Sequence, residues 1–477
     1  MRWIAAEIAE AVDGEVVAGD PSTVIDVVTQ DSREIEAAGD VSALPKPAIS
    51  KPALFVPLLA ERDGHDFVGA SGAAVSLSSR PATDLVGVNA TMVIVQVDDT
   101  AAALAALGSA GRARLDGRVV VGITGSVGKT TTKDFLAAIL SLDRPTYASH
   151  RSFNNEIGVP LTILNAPDDT EALVLEMGAR GIGHIARLCS VGRPTVGIVT
   201  TVGAAHTSEF GSVEAVAEAK GELIEALPAA GDGGVAVLNA SQPLVAAMTS
   251  RTSAAVVTFG PGGDVHADGV VLDDELVPTF TLVAPQGRVE VVLGARGTHL
   301  VDNALAAAAA ALAVGVSLDT VAAGLARPVL SPMRMALVRS ALGTRIIDDT
   351  YNANPMSVEA ALRSLAALPV PARGRRFAVL GQMAELGDIA AAEHARMGRL
   401  AAELGIHVIA VDAPDYLAGL DPAPSTDPGA DLAGDVPEAM KLLADPPLGE
   451  PIGPDDAVLV KGSRVAGLER LVELLSA

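Results

Sequence analysis

The residues best suited to chemistry lie in one short stretch, "GITGSVGKTTTKDF", residues 122–135. Gly125 and Gly128 let the backbone curl so that successive N–H groups face phosphate oxygens. Lys129 supplies a cation for the outer phosphates, and the Thr130 hydroxyl is of the kind that ligates Mg²⁺. An apolar run precedes the loop and a helical pattern follows it, so a helix N-terminus would add its dipole. Gly125, Ser126, Gly128, Lys129, Thr130 and Thr131 form the expected nucleotide site. The spacing departs from the standard P-loop, which would place a glycine where this chain has Ile123. Alone, the stretch could be a glycine-rich turn with an incidental Lys-Thr pair; the strand before it and the helix after it argue for phosphate.

Three more residues invite a chemical reading. In parallel sheets, ligands gather at the carboxyl ends of the strands. Glu176 closes the apolar run "ALVLEMG", and His206 follows "TVGIVTTV" closely. Glu176 is either a hard oxygen ligand for Mg²⁺ or a solvated strand-end carboxylate. His206 is a metal ligand, an orienting donor or a structural loop residue. Lys220 stands in a predicted helix with Ser212 as N-cap and an apolar stripe of Val213, Val216, Ala217, Leu223, Ile224 and Leu227. It interrupts that stripe, where a charged amine must snorkel, pair or lose its proton. A neutral amine can take up CO₂, and the resulting carbamate is an anionic oxygen ligand for a second Mg²⁺.

The elements that would position these groups fall into three blocks. Residues 1–113 mix short strands, "ALFVPL" and "TMVIVQV" among them, with turns and end in an Ala-rich helical stretch. Residues 114–328 alternate apolar runs with helical patterns, the signature of a doubly wound parallel sheet. Within them, 253–293 reads as β-rich and an Ala-rich helix runs from Asn303 to about Val314. Residues 329–477 begin where Pro328 and Pro332 punctuate the chain and read as a second, Rossmann-like α/β unit. Its strands are "TRIIDDT", "RRFAVLGQM", "GIHVIAVDA" and "DAVLVKGSR"; residues 421–436 read as a surface loop. The expected fold class is α/β throughout.

Composition narrows the classes. The chain has 477 residues, 49% of them hydrophobic, which is enough for several buried cores. Aromatics are only 3%, so Ala, Val and Leu must fill those cores. The formal net charge of −24 disfavours nucleic acid or an anionic membrane as partner. Cys189 is the sole cysteine, which fits a reducing compartment, and Glu7 and Glu10 in the first apolar stretch argue against a signal peptide. The longest apolar run, Ala304 to Val316, is short of a membrane span. A cytoplasmic protein without stable membrane insertion is expected.

The motifs together resemble the Mur ligase family. The likeness covers nearly the whole chain and rests on "GITGSVGKTTTKD", "SFNNEIGVPLTIL", "LEMGARGIGHI", "AHTSEFGSVEAVAEAKGEL", "GTHLVDNALAAAA", "DDTYNANPMSVEAAL", "VLGQMAELG" and "VLVKGSR". "YNANP" with the "LGQMAELG" run points to the member that adds a dipeptide. The resemblance implies an ATP-dependent amide ligase of peptidoglycan synthesis, forming ADP and phosphate. Its substrates would be UDP-N-acetylmuramoyl-tripeptide and D-alanyl-D-alanine, joined through an acyl phosphate. It implies three domains, holding the UDP-sugar, ATP and the amine in chain order, in a protein expected to be a monomer.

By the same resemblance, Lys129, Lys220, His206 and Glu176 are the catalytic set, with two Mg²⁺ ions on Thr130, Glu176, His206 and a carbamylated Lys220. Asn303 would contact adenine, while Arg334 and Asp349 would reach ATP from the third domain. Ser32 in "DSR" and Asp63 and His65 in "DGHDF" fall on the UDP-sugar side. Asn154, Asn155 and Thr162 would face metal and substrate. Tyr351, Asn352 and Asn354 would shape the amine pocket, and Lys461 and Arg464 would meet substrate on closure.

Some positions depart from the family pattern. Thr201 stands where an Asn is usual, Met356 replaces an Asp, Gln382 replaces another, and the segment 40–53 is longer than usual. No "DNPR" string of the single-amino-acid-adding members occurs, and the folate-polyglutamating relatives lack such an N-terminal block. A non-catalytic nucleotide switch is the reading from another class; it would leave Glu176 and Lys220 dispensable.

Overall fold

The computed structural model describes residues 1–35, 51–150, 153–203, 207–418, 420, 429–445 and 450–476. His206, residues 40–50 of the long N-terminal segment and residues 421–428 of the expected loop lie outside them.

The chain builds three α/β units, each around its own sheet. The first contains α1 (Ala5–Ala11), β1 (Glu15–Ala18), β2 (Val27–Thr29), β3 (Ala53–Phe55), β4 (Val75–Ser78), β5 (Val93–Gln96) and α2 (Thr100–Ala113). Its strand order is β1-β5-β4-β3-β2, parallel except for β1 against β5. The carboxyl ends of β2, β3 and β4 therefore point one way, towards the "DSR" and "DGHDF" segments and Ser79. Asp99 caps α2 by accepting from Ala101 and Ala102 N–H. Gly108 lets α2 lie close on Pro160 of the next unit; a Cβ at 108 would stand 2.8 Å from that ring.

The second unit contains β6 (Val119–Thr124), α3 (Lys129–Ser141), β7 (Thr146–Ala148), α4 (Gly158–Asn165), β8 (Ala172–Glu176), α5 (His184–Gly192), β9 (Val196–Val199), α6 (Val213–Glu225), β10 (Val235–Asn239) and β11 (Ala255–Phe259). The order is β11-β10-β9-β6-β8-β7 and every pairing is parallel. Helices cover both faces, so the strands read as unbroken apolar runs. The chain leaves β6 for β7 and β8 on one side and then returns to β9 on the other. That reversal opens a crevice over the end of β6.

An antiparallel sheet of β12 (His266–Leu272), β13 (Pro278–Ala284) and β14 (Gly287–Val292) follows, then α7 (His299–Ala313) and α8 (Leu318–Ala326). Burial along β13 alternates, as a strand with one core face requires. Ala304 and the alanines 306–311 of α7 are buried, and α7 packs directly on α3. Small side chains let the two helices approach closely where few aromatics are on hand to fill space.

The third unit contains β15 (Ala336–Arg339), β16 (Arg345–Asp348), α9 (Pro355–Ala367), β17 (Arg376–Gly381), α10 (Ala390–Glu403), β18 (His407–Val411), β19 (Ala430–Ala433), α11 (Val436–Ala444), β20 (Ala457–Lys461) and α12 (Glu469–Ser476). Its order is β15-β16-β20-β17-β18-β19, with only β15 antiparallel.

Two expectations change. The alanine-rich helix starts at His299, not Asn303, because Leu300 and Val301 are already buried. The expected loop 421–436 contains β19 and the first residue of α11. Among the described residues no helix is long and apolar enough to cross a membrane.

Candidate active site

The phosphate loop bridges β6 and α3 and is held from the β9 side. Gly125 has φ +153° and Gly128 φ +86°. A Cβ at 125 would stand 1.9 Å from Thr200 Oγ1, and one at 128 would stand 2.3 Å from Asn303 Oδ1. Both glycines are thus required by contact as well as by backbone angle. Ser126 N–H donates to Thr201 O (2.9 Å), and Val127 N–H donates to Thr201 Oγ1 (3.1 Å). Thr200 Oγ1 donates to Val127 O at 2.6 Å. Ser126 Oγ donates to Gly203 O (3.1 Å) and accepts from Gly203 N–H (3.0 Å). Thr201, where the family pattern has Asn, therefore clamps the loop.

Thr130 lies in the first turn of α3 and is buried. Its hydroxyl donates to Glu176 Oε2 (2.8 Å) and accepts from Arg334 Nη2 (2.9 Å). Glu176 is 1% exposed; its Oε1 accepts from Asn154 Nδ2 (2.9 Å), and its N–H donates to Ser149 Oγ (3.1 Å). The Thr130 and Glu176 oxygens fit a magnesium ion, because neighbouring vertices of an octahedron with bonds near 2.1 Å lie about 3 Å apart. Arg334 stacks on the Tyr351 ring with its Cζ 4.1 Å from the centroid. Its Nε is buried without a hydrogen-bond partner among the described residues, a donor suited to an anion.

Lys129 donates to Gly125 O (2.8 Å), and burial holds its pKa below the ordinary lysine range despite the opposing pull of Glu176. Lys220 sits on α6, whose N-cap is Ser212 as expected. It is 3% exposed, and among the described residues its ammonium has no hydrogen bond or ion pair. Burial, aided by the Lys129 charge, lowers its pKa to about 7. A large share of the amines are then neutral at physiological pH, the state that reacts with CO₂. Two residues along, Glu222 caps the start of α5 by accepting from Gly183 N–H (2.5 Å) and Ala186 N–H (2.8 Å).

Other expected site residues are committed to local structure. Asn155 Oδ1 accepts from Gly158 N–H (2.9 Å) at the start of α4, and Thr162 donates to Gly158 O (2.7 Å) inside that helix. Asn354 caps α9 by accepting from Ser357 N–H at 2.9 Å, with Ser357 closing a capping box. His65 is buried; its Nε2 accepts from Ser79 N–H (3.0 Å), so Nδ1 carries the proton shared with Asp63 (2.6 Å). Asp63 also pairs with Arg80, while Ser32 opens a short 3-10 turn after β2. Asn303 leans over the loop at Gly128.

From the third unit, Lys461 donates to Asp349 Oδ2 (2.5 Å) and to Asn352 O (2.8 Å), and Met335 N–H donates to Asp349 Oδ1 (3.3 Å). Arg464 is exposed and touches Met333 Sδ (3.4 Å) and Glu469 (3.6 Å). Met356 reaches the loop after β9: a Cβ on Gly203 would lie 2.3 Å from its sulfur.

Sequence reasoning passed over Asp134, which fixes the segment leading to Arg334. Its Oδ2 accepts from Ser331 N–H (2.7 Å) and its Oδ1 pairs with Lys133 (3.0 Å). Met333 (φ +60°) and Met335 (φ +53°), on either side of Arg334, are left-handed without being glycine. Only the proximity of Asp134 to the phosphate loop could have signalled this role.

Known proteins share the fold and much of the sequence. The family profile of the Mur ligase middle domain matches residues 123–311, and that of the Mur ligase glutamate ligase domain matches 333–464. The chain is 42% identical to the UDP-N-acetylmuramoyl-tripeptide–D-alanyl-D-alanine ligase of Mycobacterium tuberculosis, over 99% of this chain and 97% of that one. A crystal structure of MurF from Acinetobacter baumannii superposes with a TM-score of 0.84 at 32% identity, covering 100% of this chain and 99% of the other. The MurF ligase of Thermotoga maritima in complex with ADP gives 0.77 at 28% identity, covering 95% and 97%. A clamped phosphate loop, a strand-end glutamate and an arginine from the third unit thus sit in a fold and sequence shared along the full length, and the chain belongs to the Mur ligase family.

Proposed function

We propose that the chain is the ATP-dependent ligase that adds D-alanyl-D-alanine to UDP-N-acetylmuramoyl-tripeptide. The observation that carries this reading is the Thr130 hydroxyl held between Glu176 and Arg334 at the mouth of the phosphate loop. The loop N–H groups and Lys129 bind the phosphates of ATP, Asn303 meets the adenine, and Asp349 the ribose. Thr130 and Glu176 would hold one Mg²⁺, and carbamylated Lys220 with His206 would hold a second. When bound, the ions would supply charge neutralisation where the tripeptide carboxylate meets the γ-phosphate.

The protein's own groups do the rest. Arg334 brings its unpaired Nε to the transferring phosphoryl group, where negative charge builds up. The amine of the dipeptide then attacks the acyl phosphate, and phosphate leaves. Packing of the third unit over the loop keeps water from that intermediate. Asn154 orients Glu176, as their 2.9 Å hydrogen bond supports. Ser32, Asp63 and His65 order the UDP-sugar side, and Tyr351, Asn352, Asn354 and Arg464 the amine side. Asn155 and Thr162 shape the helix start beneath the substrate. The reading divides the chain at 1–113, 114–328 and 329–477 and takes it as a cytoplasmic monomer, where ATP and nucleotide-linked precursors are found.

The test is phosphate release from ATP with UDP-N-acetylmuramoyl-tripeptide, with and without D-alanyl-D-alanine. Release that requires both, with a product heavier by the dipeptide, is expected. Release driven instead by a single amino acid would move the chain to another member, and no substrate-dependent release would overturn the ligase.

A further inference from the structure

Lys461 ends β20 and is 2% exposed. An ammonium has three hydrogens, and here their acceptors are all internal: Asp349 Oδ2 (2.5 Å), Asn352 O (2.8 Å) and Asp349 O (3.5 Å). Its two short bonds, to Asp349 Oδ2 and Asn352 O, turn the ammonium towards its own unit. β16 and β20 are parallel neighbours with Asp348 facing Val460, so the ion pair ties the carboxyl ends of adjacent strands.

The tie has two outputs. With Met335 N–H on Oδ1 and Lys461 on Oδ2, the plane of the Asp349 carboxylate is set. Through Asn352 O, Lys461 also holds the 349–352 turn on which Tyr351 stands under Arg334. We propose that Lys461 is a positioning residue of the nucleotide pocket, orienting Asp349 and the Tyr351–Arg334 stack rather than binding the amine or the UDP-linked peptide. This rests on the ligase reading for the roles of Asp349 and Arg334.

The experiment measures ADP binding to the full chain by calorimetry, independently of turnover, for Lys461→Met, Asp349→Asn and the double variant. Each single change should weaken ADP about tenfold, and the double should be no weaker than either, because both act through one contact. In steady state, Lys461→Met should raise KM for ATP while KM for D-alanyl-D-alanine stays within about twofold. Lys461→Arg, which keeps the charge, should recover part of the ADP affinity. Unchanged ADP affinity in Lys461→Met, or a raised KM for the dipeptide with KM for ATP unchanged, overturns the proposal. If Lys461→Met does not fold, the uncharged double variant is compared with Asp349→Asn. Equal ADP affinity then supports the role, and a further rise in dipeptide KM overturns it. Should the ligase reading itself fail, amine-dependent phosphate release will be absent while the ADP comparison still reports on Lys461.

Discussion

Arg334 and Thr130 lie 204 residues apart in the chain, yet Arg334 Nη2 donates to the Thr130 hydroxyl at 2.9 Å. The third unit thus reaches the phosphate loop through one guanidinium. The same hydroxyl donates to Glu176, so three groups share a single buried atom.

Thr130→Val keeps the shape and removes that atom. It should lower kcat by about 100-fold or more, since the expected Mg²⁺ ligand and the anchor that aims Arg334 at developing charge are both lost. Glu176 and Arg334 would also each lose a buried partner, costing about 1–3 kcal/mol of stability. Thr130→Ser, which retains the hydroxyl, should recover most of both. Steady-state kinetics and urea unfolding of the two variants check this.

Lys220 makes stability depend on pH. Its folded pKa is about 7 against an ordinary value of 10.5. Between those values the unfolded chain keeps a proton that the folded protein has lost, so stability rises with pH across that window. Below it both states are charged and the burial penalty is fully present; above it the penalty is gone. In CO₂-free buffer the melting temperature, corrected for the Lys220→Met slope, should climb from pH 7 to 10. A parallel pair of curves would show that Lys220 titrates normally.

Asp134 should act through Arg334. Asp134→Ala removes the acceptor of Ser331 N–H and one of the partners of buried Lys133, costing about 1–3 kcal/mol. It should also lower kcat about tenfold by loosening the approach of Arg334. Asp134→Asn keeps an acceptor for Ser331 and should retain most of the activity. Equal losses in both variants would assign the effect to the Lys133 pair instead.

Parts of this site are legible without coordinates because their signals are local. The phosphate loop shows itself through glycine, lysine and threonine spacing between a strand and a helix. Lys220 shows itself by breaking an apolar stripe of period 3.6. The clamps by Thr200 and Thr201, the reach of Arg334 and the partners of Lys461 carry no period and no local motif. They exist only once β6, β9, β16 and β20 are laid side by side. Short edge strands also escaped notice: β15 and β19 have four residues each, too few for an alternation to stand out. Asn354 and Asn155 fit the resemblance as ligands, yet their Oδ1 atoms serve helix starts, a use common to asparagine in any fold.

The Asp134–Ser331 hydrogen bond also limits how the last unit can travel. Ser331 is pinned to α3, and from it to Arg334 an extended backbone spans only about 10 Å. While the pin holds, Arg334 stays on a leash of that radius. The last unit therefore cannot draw the arginine farther from α3 than that span without first breaking this hydrogen bond.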